Sequence, residues 1–196
     1  MTVYRRGLHI AAIALGLTAV RATALDAQGG PQARRASGSA GASSATSAVA
    51  VELAGGLTKT LVGTWRFEVR FAGNFTGAPD AWGTRAFAAL FDDLRLEWTE
   101  SLDSSAISAR GVVGFDPKTG QFYSTAVHSS GTGIELLTGS MDLAEPVIQF
   151  TPAVRALGTD AAQLRMESFT LSLIDADHFT WAPLDRSWRA VFTRER

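Results

Sequence analysis

From Leu57 to the C-terminus the chain runs in short apolar stretches whose hydrophobic residues fall at every second position, and that period confines it to β-structure. Between Leu61 and Ala72, Trp65, Phe67, Val69 and Phe71 alternate with Arg66, Glu68 and Arg70. Successive side chains of a strand point to opposite faces, so this run has one apolar face and one solvated face. Leu94 to Leu102 repeats the pattern, with Leu94, Leu96 and Trp98 set against Arg95, Glu97 and Thr99. Further strands fit Ile107 to Phe115, Gln121 to Val127, Gly133 to Met141, Pro146 to Phe150, Leu164 to Ile174, His178 to Ala182 and Ser187 to Arg194. Asp116-Pro117-Lys118-Thr119-Gly120 is a hairpin turn, because proline fixes its own φ and Gly120 accepts a positive one. Asp175-Ala176-Asp177 makes a second tight turn. In residues 79–91, Trp82, Phe87, Leu90 and Phe91 sit near helical spacing, but Gly83 interrupts them and Asp92-Asp93 follow, so a strand is preferred. Nine or ten short antiparallel strands at hairpin spacing, with no long amphipathic helix, predict a sandwich or a closed barrel.

The chain ahead of this region has a different character. Arg5 and Arg6 precede an apolar stretch from Leu8 to Val20, and small residues follow at Ala22, Ala24 and Ala27. This is the layout of a signal peptide over residues 1–27, too short for a hydrocarbon core of about 30 Å. Export to the periplasm or the medium is the expectation, with the twin-arginine route weakened by Tyr4 standing before the arginine pair. Residues 28–56 are rich in Ala, Ser and Gly and lack aromatic residues, the composition of a flexible linker with at most transient helix near Ser47 to Leu53. The folded domain is then residues 57–196.

Charge and cysteine usage exclude several classes of function. The whole chain has a formal charge of −1 and no cysteine. Residues 1–27 carry three of the basic residues and one acidic, so the remainder stands at −3. Nothing there favours nucleic acid or an anionic membrane. Without cysteine there is no disulfide, thiol nucleophile, zinc–thiolate site or lipid-modified N-terminal cysteine, so no membrane anchor is expected.

Several of these segments carry a family likeness. Leu61-Val62-Gly63-Thr64-Trp65 resembles the Gly-x-Trp opening of lipocalins, and Val113 to Leu143 resembles the middle of a family of exported bacterial proteins of unknown function. The closing Val191-Phe192-Thr193-Arg194 is similar to that family's last strand. The likeness covers residues 57–196 and implies a single antiparallel calycin-like (lipocalin-like) barrel of about 8–10 strands. His128 departs from the family's usual aspartate, and Asp92-Asp93 stand where it favours glycine. The resemblance implies a fold and no activity. It also implies structural roles for Gly63, Trp65 and Arg194, the last packing its guanidinium on the Trp65 indole, while Gly120 has its structural role in the hairpin turn.

No catalytic constellation emerges. Gly-x-Ser-x-Gly and His-Glu-x-x-His are absent, and Glu97 and Glu100 fall on opposite faces of one strand, wrong for shared acid–base work. A haem barrel would need His128 or His178 as ligand, but His128 is at a strand end and His178 beside Asp175 and Asp177 is ordinary turn chemistry. No metal or cofactor is expected. The remaining signal is aromatic: Trp98, Phe115, Tyr123, Trp181 and Trp188, with His128, are the candidate lining of a ligand site, and Trp82 is a further aromatic of the same kind. The first functional expectation is a non-catalytic binder of a small apolar ligand. The second is a filled barrel acting as an envelope structural or interaction module, and an enzyme ranks below both.

Overall fold

The computed structural model describes residues 40–103, 105–131, 133–142, 145–153 and 168–196. The expected signal peptide, the linker up to residue 39 and the start of the strand expected from Leu164 lie outside the described residues. A helix, α1 (Ala40–Leu61), precedes ten strands. These are β1 (Gly63–Phe71), β2 (Ala81–Leu90), β3 (Asp92–Leu102), β4 (Ser108–Asp116) and β5 (Gln121–His128). The second half comprises β6 (Ile134–Asp142), β7 (Val147–Pro152), β8 (Phe169–Leu173), β9 (His178–Pro183) and β10 (Trp188–Arg194). Each strand pairs antiparallel with its sequence neighbours, and β10 pairs with β1, which closes the barrel. Closure leaves no edge strand with free backbone groups. The stretch of ambiguous period is β2, and Gly120 has φ +68° in its turn, with Asp116 accepting hydrogen bonds from the Lys118 amide (2.9 Å) and the Thr119 hydroxyl (2.9 Å).

The helix corrects the expectation of a flexible segment over residues 40–56, and it also takes Leu61 out of the first strand. Its composition is poor in large apolar groups, yet Ala54, Leu57, Thr58 and Leu61 all lie on one stripe and all are buried. That stripe docks against β3 and β4. Docking supplies what an isolated Ala/Ser/Gly segment lacks, since most helical stability in proteins comes from tertiary packing of one face. Ala50 and Val51 also pack on the core, so contact with the barrel begins before the expected domain start. The Thr58 hydroxyl reaches the carbonyls of Ala54 and Asp93, and Lys59 pairs with Asp93 at 2.9 Å.

The barrel end next to α1 is packed solid with aromatic rings. Trp65 meets Phe179 edge to face at 4.8 Å, Phe179 stacks on Phe192 at 4.2 Å, and Phe115 meets Phe122 at 5.0 Å. The register sets Trp65 directly beside Arg194, whose guanidinium carbon lies 4.2 Å from the indole centroid. That guanidinium also donates to the carbonyls of Thr60, Val62 and Ala176 and pairs with Asp177 at 3.2 Å. Gly63 connects helix to strand at φ +127°, and a Cβ there would stand 2.9 Å from the Arg194 Nη1. Both the conformation and the close approach call for glycine.

Candidate functional site

The cavity lies in the half of the barrel away from α1. Strands β1 and β3 start near the helix, and the cavity is lined by residues further along them, such as Val69, Trp98 and Leu102. Its volume is about 100 Å³. Inward positions follow strict parity, so Gly83, Arg85 and Phe87 of β2 face in while Trp82 faces out. By the same rule Trp98 and Glu100 of β3, Ser124, Ala126 and His128 of β5, and Glu135 of β6 point into the lumen.

Four of the six expected lining residues, Trp98, His128, Trp181 and Trp188, do line the cavity. Two do not. Phe115 faces inward but fills the packed end against Phe122, one layer below the cavity. Tyr123 is on the outer wall, over Gly114, where burial pushes its phenol pKa above the ordinary value. The alternation of β5 explains this: Phe122, Ser124 and Ala126 are buried, so Tyr123 must point out. Trp82 is on the outer wall for the same reason.

Apart from His128, the polar contents of the lumen were not anticipated from the sequence. Arg85 and Glu100 are register partners on β2 and β3, and the Arg85 Nε donates to Glu100 Oε2 at 2.7 Å. A second guanidinium nitrogen contacts the same oxygen. Arg85 also stacks over aromatic faces, with Trp98 at 4.7 Å, Phe192 at 5.0 Å and Trp181 at 6.0 Å. Glu135 shares this space without an ion pair among the described residues. Burial pushes its carboxyl pKa up, the Arg85 charge pulls it down, and the Glu100 charge adds to the rise. On the opposite wall Phe169 stacks on Trp181 at 5.4 Å and meets Trp188 at 5.9 Å.

Such a site can hold a small molecule by apolar contact and orient it by a few polar groups. Among the described residues no group of three or more His, Cys, Asp or Glu side chains could hold a metal ion, and no helix is long and apolar enough to cross a membrane. His178 is in its turn, with Nδ1 2.9 Å from the Asp175 Oδ1.

A family model described as a protein of unknown function (DUF1579) matches residues 57–183. Among solved structures, the crystal structure of Rv2717c from M. tuberculosis is similar at 20% identity and a TM-score of 0.48, over 73% of this chain and 98% of that one. No curated protein matches. With more than half its length under that model, the chain belongs to the DUF1579 family of proteins of unknown function.

Proposed function

We propose that the protein is a non-catalytic binder of a small, largely apolar molecule, held in the lumen of a lipocalin-like barrel. The observation that carries this reading is the cavity itself. It combines a wall of tryptophan and phenylalanine with a few convergent polar groups, the usual make-up of a ligand site. Its size limits the ligand. At about 100 Å³ the space suits a compact molecule and not a long lipid chain. We further propose that the protein works after export, as the layout of Arg5, Arg6 and the apolar stretch Leu8 to Val20 supports.

One observation favours a second reading, a filled barrel serving as an envelope structural or interaction module. Dedicated ligand pockets usually begin near ~300 Å³, and this cavity is smaller. Native mass spectrometry of protein purified from its own host separates the two. A discrete added mass, removed on unfolding, is the expected result. Bare protein from several growth conditions would favour the filled barrel. The same spectra report the N-terminus: a mature protein beginning after Ala24 or Ala27 is expected, and an intact residue 1–27 segment would count against export.

A further inference from the structure

We infer that the lumen takes a small organic cation, an ammonium with methyl-sized substituents, and that Glu135 is its counter-charge. This rests on the small-ligand reading above and names the class of ligand. Among the described residues, one guanidinium and two carboxyl groups enter the cavity: Arg85 from β2, Glu100 from β3 and Glu135 from β6. Arg85 and Glu100 satisfy each other through hydrogen bonds from two guanidinium nitrogens. Among the described residues Glu135 is left over, so the lumen holds one more carboxyl group than guanidinium. Among the described residues His128 and Ser124 from β5 are the other polar side chains of the lining, and the rest of it is apolar and aromatic.

A carboxylate in such a place has two ways to avoid an uncompensated charge. It can take up a proton, or it can gain a cation. A cation bound there also meets aromatic faces, which attract positive charge through their quadrupoles, more strongly where water is excluded. The protein already uses this chemistry on itself, since Arg85 stacks on Trp98 and Phe192 with Glu100 as its counter-charge. Phe169, Trp181 and Trp188 add further aromatic rings to the lining of the same cavity. An anion would meet two carboxylates and a guanidinium already engaged. An ammonium bearing three or four methyl groups has about five non-hydrogen atoms, which suits a space of about 100 Å³. Binding would displace the Glu135 proton, so affinity should rise with pH.

The test compares three probes of nearly one shape on the full chain at matched ionic strength: tetramethylammonium, neutral tert-butyl alcohol and anionic pivalate. Calorimetric titration should show the cation binding at least about tenfold more tightly than the alcohol, and pivalate not binding. Tetramethylammonium affinity should increase with pH, and Glu135→Gln should reduce it to the level of the alcohol while leaving the alcohol unaffected. The pH series on the native protein serves if that variant does not fold. Alcohol binding as tightly as the cation, preference for pivalate, or a cation preference that survives Glu135→Gln would each overturn the inference and leave the small-ligand reading standing. Binding of none of the three would overturn both.

Discussion

A carboxyl group inside a barrel loses the water that stabilises its charge, and Glu135 has Glu100 nearby as well as the helpful Arg85. Burial dominates, so its native pKa lies above the ordinary 4.5. The folded protein then keeps a proton at pH values where the unfolded chain has released it, and stability falls as pH climbs from 4.5 through the raised native value. Glu135→Gln removes that dependence. The variant should melt above the native protein near pH ~8, and the gap should close as pH drops below the ordinary carboxyl range. Melting curves by circular dichroism across pH check this, and a gap independent of pH contradicts it. At Gly120 the issue is backbone conformation alone. An added Cβ would meet nothing within 4 Å, yet φ is +68°. Gly120→Val should therefore cost about 1 kcal/mol or more, read as a lower denaturant midpoint at unchanged slope. That turn was legible because Pro and Gly act locally. The lumen charges were not. In β2 a tryptophan and an arginine compete for the inside, and hydrophobicity alone puts Trp82 there; the phase is fixed only by Gly83 and Phe87 facing the core. Glu100 likewise finds its partner across the sheet, where spacing within one strand gives no sign of it.

At the scale of elements, the junction of α1 with the barrel shows how a weak helix is held. The last carbonyls of a helix have no partner within it, and here Trp65 Nε1 donates to the Leu61 carbonyl at 2.7 Å while Arg194 serves Thr60 and Val62. A cation there also complements the negative end of the helix dipole. Arg194→Ala should destabilise by about 1–3 kcal/mol, and Arg194→Lys should recover only part of it. An ammonium cannot span several carbonyls while lying flat on the Trp65 ring. Equal stability of Lys and native forms by chemical unfolding would contradict this account. Leu61→Ala should cost about 2–5 kcal/mol, since Leu61 is wholly buried; a loss under about 0.5 kcal/mol, as at an exposed site, would mean the helix does not dock. Apart from β2, the strands were legible because alternation survives within single strands. The helix was not, because its buried stripe uses small residues, and the two leucines of that stripe, Leu57 and Leu61, sit where the sequence pattern starts the barrel domain and its first strand.

Across the whole molecule, closure divides the barrel into a filled half and a hollow half. The pairing of β1 with β10 brings Arg194, α1 and the ring stack of Trp65, Phe179 and Phe192 to one end, which leaves the space among Trp98, Trp181 and Trp188 at the other. Strand count and turn spacing left a sandwich and a closed barrel both open, and the barrel was favoured by the resemblance that Leu61 to Trp65 and Val113 to Leu143 carry. Which half stays hollow depends on how rings from different strands stack, and no local pattern encodes that. The five tryptophans report on this division from distinct places: three line the lumen, Trp65 is in the packed end and Trp82 is on the outer wall. The central claim, that the lumen is the binding site, is tested most directly by assigned indole N–H resonances during titration with tetramethylammonium and with tert-butyl alcohol. The account predicts saturable shifts at Trp98, Trp181 and Trp188 with at least one probe, while Trp65 and Trp82 stay in place. Shifts confined to Trp82, or no shift at any of the five, would contradict it.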